Sequence, residues 1–130
     1  MIFVDSSVFI GLADTKDQWH EKAKGILRLL EKENLMISDL VISEVLTEIG
    51  RRSGGAQAHK LYNYFNDNCI VVYLDKELMD SAETMFTKFD GALSLADTAS
   101  VMIMKKNGIT GIASFDSDFD RVREITRISG

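Results

Sequence analysis

Proline is absent from the 130 residues, cysteine occurs once and histidine twice. Without proline, breaks between elements must be read from Gly, Asn, Asp and Ser. The single thiol, Cys69, excludes an intrachain disulfide and a thiolate metal cage. His20 and His59 are too few for a histidine-rich zinc site. No apolar run approaches the roughly 18 residues of a membrane-spanning helix, so no membrane partner is expected. The opening residues MIFVDSS read as a strand, not as a basic region followed by an apolar one, and a cytoplasmic location is the expectation. Excess positive charge is also missing, since the formal net charge is −5. That excludes a protein that coats nucleic acid through a broad basic field. It does not exclude an enzyme acting on nucleic acid, because carboxylates that bind cations make the apoprotein look acidic.

What is present is ordinary globular composition, 45% hydrophobic and 27% charged. The length suits one domain over residues 1–130. Short apolar runs alternate with helical patterns. Strands are expected at Ile2–Val4, Leu35–Ser38, Ile70–Tyr73, about Gly111–Ser114 and about Ile125–Ile128. Between them the spacing predicts helices over Ser6–Ala13, from Asp17 as N-cap to near Asn34, from Asp39 as cap over Leu40–Arg52, and over Ala56–Asn66. Asn66-Asp67-Asn68 reads as a turn. Asp75 caps a helix carrying Leu78, Ala82 and Met85, Asp90-Gly91 breaks it, and a helix from Ser94 to Lys106 precedes an Asn107-Gly108 turn. This alternation predicts an α/β fold, a three-layer α/β/α sandwich around a short-stranded, mostly parallel sheet. Such a sheet binds ligands at the carboxyl ends of its strands.

Two acids lie at such ends, Asp5 after the first strand and Asp116 after the fourth. Asp5 could instead cap the following helix, though Ser6 or Ser7 can do that. Glu44 sits in the apolar setting VISEVL, while Glu48 one turn later reads as solvated. Asp97 fits a capping box with Ser94 at the start of a helix apolar nearly all round, so it is held against protein. The run Asp116-Ser117-Asp118-Phe119-Asp120 begins like a calcium loop, but the required Gly and Glu positions hold Arg121 and Arg127. The run offers three acids, of which Asp116 stands nearest the strand end, and as a plain turn it could be no more than Asp and Ser making local backbone bonds. Carboxylates gathered without a partner either take up protons or bind cations, and an all-oxygen set favours Mg²⁺ or Mn²⁺. A pair of such ions suits attack on a phosphodiester.

These residues together resemble the PIN-domain family of metal-dependent ribonucleases, which includes the VapC-type toxins. The resemblance spans nearly the whole chain and rests on the opening strand into Asp5-Ser6-Ser7, Glu44 in VISEVL, Asp97 in SLADTAS and Asp116 in SFDSDF. It implies Asp5, Glu44, Asp97 and Asp116 as catalytic metal ligands, Asp118 as a variable extra, and Ser6 and Ser114 as small hydroxyl neighbours. It also implies a Mg²⁺- or Mn²⁺-dependent endoribonuclease acting on RNA, a small antitoxin as partner, and a homodimer. Trp19 in DQWHEKA departs mildly from the pattern and receives no role. Arg51, Arg52, Arg121 and Arg123 are the candidates for RNA contact. Two other readings compete: a non-catalytic PIN-like module that binds RNA or protein, and a phosphoacceptor receiver. The receiver lacks its paired acids after the first strand and its Lys after the strand ending near Ser114.

Overall fold

The computed structural model describes residues 1–130. Each apolar run becomes a strand: β1 (Ile2–Val4), β2 (Leu35–Ser38), β3 (Cys69–Val72), β4 (Gly111–Ala113) and β5 (Thr126–Ile128). All neighbours pair in parallel, in the order β3-β2-β1-β4-β5. A parallel sheet is covered on both faces, so its central strands need apolar side chains at every position rather than alternate ones. Phe3, Val4, Met36, Ile37, Ile112 and Ala113 are all buried for this reason. The edge strand β3 is freer and leaves Ile70 exposed.

The helices are α1 (Ser6–Ala13), α2 (His20–Leu29), α3 (Asp39–Ser53), α4 (Gly55–Asn68), α5 (Lys76–Lys88) and α6 (Leu95–Lys106). Helices α1 to α4 pack among themselves, and α5 packs on α6. Right-handed crossovers put the first group on one face as the chain steps from β1 to β2 to β3. The return from β3 to β4 reverses direction, which carries α5 and α6 to the other face. The result is the expected three-layer sandwich, with the sheet wholly parallel. Strand order removes the receiver reading, because that architecture runs 2-1-3-4-5 and this sheet runs 3-2-1-4-5. No helix is long and apolar enough to cross a membrane.

Three local expectations are corrected. Helix α2 begins at His20 and ends at Leu29, later and earlier than the spacing suggested. Asp17 lies in the preceding turn, where its Oδ1 accepts from the Trp19 amide at 2.9 Å. Asp39 is the first residue of α3 rather than its cap; Ser38 caps, accepting from the Val41 amide at 3.2 Å. Asp39 Oδ1 instead accepts from the Leu40 and Leu74 amides, tying the β3–α5 connection to α3. Asn66-Asp67-Asn68 completes α4, and β3 starts one residue early, at Cys69. Packing of Phe65, fully buried, prolongs α4 through residues that favour turns in isolation.

The other breaks fall as read. Asp90 (φ 53°) and Gly91 (φ 75°) both take left-handed backbone after α5. Ser38→Ala would remove a buried cap from the helix that carries Glu44. A loss of about 1 kcal/mol in stability is expected by chemical denaturation, with Ser38→Thr largely retaining it.

Candidate active site

Strand β1 lies between β2 and β4, and the chain runs outward from it in both directions. The crevice at the carboxyl ends of β1 and β4 is therefore the topological switch point of the sheet. Asp5 leaves β1 there, and Ser114 leaves β4. Helices α3 and α6 each feed or follow a parallel strand, so their first turns also face this edge. That geometry brings Glu44 and Asp97 to the same rim.

Asp5 is 7% exposed and occupies the N-cap position of α1 in extended backbone, yet its side chain makes no capping bond. Its Oδ2 accepts from the Ser7 hydroxyl at 2.8 Å and from the Ser114 hydroxyl at 2.8 Å. Each hydroxyl in turn accepts a backbone amide, Ser7 from Phe115 at 3.1 Å and Ser114 from Asp116 at 3.0 Å. Two parallel relays thus tie one carboxylate oxygen of Asp5 to the start of the acidic turn. Ser6 is buried and donates to Glu44 Oε2 at 3.2 Å. The motif reading picked out Ser6 and Ser114 but not Ser7. Its signal was the hydroxyl two residues beyond the acid, the offset at which a Ser side chain can reach back.

Asp97 forms the full capping box with Ser94: its Oδ2 accepts from the Ser94 amide at 3.3 Å, and the Ser94 hydroxyl accepts from the Asp97 amide at 3.1 Å. Asp116 caps a 3-10 helix over Ser117–Arg121, its Oδ1 accepting from the Asp118 amide at 2.9 Å. Asp118 is half-exposed and pairs with Arg121 at 3.4 Å. Asp120 engages Arg127 in a two-point ion pair at 2.9 and 3.1 Å, which holds its carboxyl below the usual range. Arg127 also donates to the Ser114 carbonyl at 3.2 Å.

The four acids are coupled in pairs. Burial raises Asp5 above the ordinary carboxylate range, against the opposing pull of its two hydroxyl donors. Burial pushes Asp97 up to about 6, the charges of Asp5 and Asp116 adding to the rise. Glu44 keeps much of its surface in solvent, and surrounding protein and the Asp5 charge still raise it. Asp5 thus interacts with Glu44 and with Asp97, and Asp97 with Asp116. No three of them close into a ready-made ligand cage. The donor chemistry nevertheless suits a hard divalent cation, being oxygen only and carboxylate throughout.

Among the candidate RNA contacts, Arg52 is engaged elsewhere. It donates to Asp14, Asp17 and Glu48 at 2.9–3.0 Å, clamping the α1–α2 connection onto α3. Arg51 also pairs with Glu48, at 3.2 Å. Arg123 is exposed. Phe119 is fully buried and anchors the acidic turn in the core. Phe115, partly exposed, stacks on Trp19 with ring centroids 4.9 Å apart and planes 9° from parallel. An open cleft of about 550 Å³ runs along α3, lined by Glu44, Glu48 and Arg52 among others.

A parallel 3-2-1-4-5 sheet with a group of neighbouring carboxylates at its switch point is the arrangement of a PIN domain, and the chain belongs to that family: the family model described as PIN domain matches residues 2–125. Among curated proteins it is similar to the 23S rRNA-specific endonuclease VapC20 of Mycobacterium tuberculosis, 30% identical over 125 residues covering 92% of each chain. The crystal structure of that organism's VapC20, described as a sarcin-ricin loop cleaving toxin, superposes with a TM-score of 0.90 at 26% identity over 100% of both chains. A toxin-antitoxin complex from Klebsiella pneumoniae shares the fold at a TM-score of 0.71 and 12% identity, covering 97% of this chain and 96% of that one. The DNA-bound VapBC of Salmonella typhimurium does so at 0.71 and 11%, covering 98% and 96%.

Proposed function

We propose that this chain is a Mg²⁺- or Mn²⁺-dependent endoribonuclease, the toxin of a toxin–antitoxin pair, with its cation held by Asp5, Glu44, Asp97 and Asp116 and with Asp118 at the rim. The observation that carries the reading is the proximity of Asp5 to Glu44 and Asp97, and of Asp97 to Asp116, in a crevice where burial opposes the ionisation of Asp5, Glu44 and Asp97. Such a cluster is costly unless a cation neutralises it. When bound, a divalent cation supplies Lewis-acid activation of water and neutralises charge developing on the phosphate. The chain's own part is to hold the donors. Ser7 and Ser114 fix the Asp5 carboxylate, Ser6 steadies Glu44, and the Ser94 capping box orients Asp97.

The Mycobacterium tuberculosis relative, by its description, acts on 23S rRNA, which makes that RNA the first substrate to offer. The Klebsiella pneumoniae protein of the same fold is a toxin-antitoxin complex, and a small antitoxin is the corresponding partner proposed here, together with a second copy of the chain in a homodimer. Incubation with ribosomal RNA should give discrete cleavage in Mg²⁺ or Mn²⁺ and none in excess chelator. Undiminished cleavage in chelator would remove the metal from the reading. One observation favours the non-catalytic alternative, namely that no three acids stand as a closed cage. Calorimetric titration with Mn²⁺ separates the two, since a binding module without a metal site releases no heat.

The hydroxyl relays give a sharper test. Ser114→Ala removes a donor to Asp5 and the acceptor of the Asp116 amide. Groups that orient ligands are typically worth about 10–100-fold in metal affinity or activity. A fall of that size is expected in cleavage at sub-saturating Mg²⁺, largely recovered by raising the cation concentration. A variant with wild-type Mg²⁺ dependence would show the relay to be structural only.

A further inference from the structure

We propose that Trp19, Phe115 and Lys22 form a subsite for one unpaired nucleotide of the RNA strand beside the carboxylates, the base on the aromatic pair and the phosphate on the lysine. The proposal rests on the RNA-cleaving reading above. A cleft of about 390 Å³ lies where the α1–α2 connection meets the exit of β4 and the end of β5. Its lining is Trp19, Lys22, Phe115, Ser117, Arg127 and Ser129: two aromatic rings, two cations and two hydroxyls, with no carboxylate. In a chain where 20 acids face 15 Lys and Arg, this combination is a local exception. It is also the one that single-stranded nucleic acid requires, a π-face for the base and positive charge for the backbone.

The rings are held in advance. Trp19 and Phe115 are each partly exposed and stack nearly parallel. The Phe115 amide donates to Ser7, which donates to Asp5, so the aromatic wall is in fixed register with the first acid. The Trp19 amide is bonded to Asp17, and Asp17 is bonded to Arg52 on α3, so the connection carrying Trp19 is pinned at its base. Of the two cations, Arg127 is committed to Asp120 and the Ser114 carbonyl. Lys22 forms no ion pair; it is exposed, with its ammonium 5.5 Å from the Trp19 ring centroid. An arriving base would replace the ammonium over the ring and leave it to the adjoining phosphate. Arg51, Arg52 and Arg121, picked out from the sequence for this role, all have acidic partners instead.

Trp19 is the only tryptophan, so its emission reports the subsite directly. The wild-type chain is titrated with a short unstructured oligoribonucleotide in chelator at low salt, following Trp19 fluorescence and, separately, anisotropy of a labelled oligomer. Binding should quench Trp19 in parallel with the rise in anisotropy. Lys22→Gln, at an exposed position, should weaken binding about 10-fold and flatten its salt dependence by about one phosphate contact. Phe115→Leu keeps an apolar side chain but removes the second ring and should also weaken it roughly 10-fold. With Mg²⁺, Lys22→Gln should raise KM and leave kcat unchanged. Binding without a change in Trp19 emission, absence of binding, or wild-type affinity in Lys22→Gln would each overturn the subsite. A chain that cleaves RNA with Trp19 silent loses this inference alone. One that binds with quenching but never cleaves loses the enzymatic reading and keeps the subsite.

Discussion

Asp97→Asn is expected to lower Mg²⁺-dependent RNA cleavage by on the order of 10³, because a ligand's share of several kcal/mol of charge stabilisation converts to a factor of that size. Its folding should be unharmed. Asn retains an oxygen to accept from the Ser94 amide, so the capping box that Asp97 completes can persist. Removing a charge that burial and two neighbouring acids oppose should leave the metal-free protein as stable at pH 7 as the wild type, or more so. Asp97→Ala cannot make this separation, since it deletes cap and ligand together. Asp5→Asn should lose activity equally and also stay folded, because Ser7 and Ser114 can still donate to the remaining side-chain oxygen. The measurement is single-turnover cleavage alongside a thermal melt. A folded Asp97→Asn that cleaves at the wild-type rate would reduce the crevice to a well-capped, buried helix start.

Metal should decide how stability depends on pH. Asp97, Asp5 and Glu44 are all raised in the folded protein. A carboxyl raised on folding favours the protonated native state, so its contribution is full at low pH and is lost as pH climbs through the folded value. For Asp97 that passage lies near pH 6. Allowing for its remaining solvent contact, about 1–2 kcal/mol should disappear between pH 4 and pH 7 in chelator. Asp14 and Asp120 act in the opposite sense. Bonds to the Lys16 amide and to Arg52 lower Asp14, and Arg127 lowers Asp120, so what they add is lost only as pH falls below the ordinary carboxylate range. The metal-free optimum should therefore sit near the ordinary carboxylate range, about pH 4.

Adding Mg²⁺ should reverse the upper limb, because ligation needs the ionised carboxylates. At a hundred times its dissociation constant a ligand adds about 2.7 kcal/mol, which for a chain of this size is a rise of roughly 10 °C in Tm. The rise should be large at pH 7, small at pH 5 and absent in Asp97→Asn. Melting curves at the two pH values, with Mg²⁺ and with chelator, check all three. A Tm at pH 7 indifferent to Mg²⁺ and Mn²⁺ would count against the carboxylates as a metal site.

Local features were read well. Ser94 and Asp97 announce their capping box by spacing alone, Asp75 its cap, and Asp90-Gly91 its break, because each depends only on residues within a turn or two. Asp17, Asp39 and Asn66–Asn68 were misplaced for a common reason. A short polar side chain bonds backbone equally well at a cap, in a turn or within the first helical turn, and packing from elsewhere selects among these. Ser38, the buried last residue of β2, took the cap that Asp39 was expected to fill. The candidate acids were legible as residues that follow strands or open helices. The Ser7–Phe115 bond, the Trp19–Phe115 stack and the Arg52 clamp on Asp17 were not, since nothing near these residues in sequence marks those partners.

The sequence by itself determined the alternation of apolar strands and amphipathic helices, the oxygen-only donor set, and which acids stand at strand ends and helix starts. Those properties are set by side-chain periodicity and near neighbours. Only the tertiary structure decided that β1 lies between β2 and β4, which puts Asp5 within 2.8 Å of a hydroxyl 109 residues away. It also decided which arginines are taken up by acids and which lysine is left over an indole ring. A carboxylate's chemistry depends on the water it loses and the charges it meets, and both are fixed by residues distant along the chain.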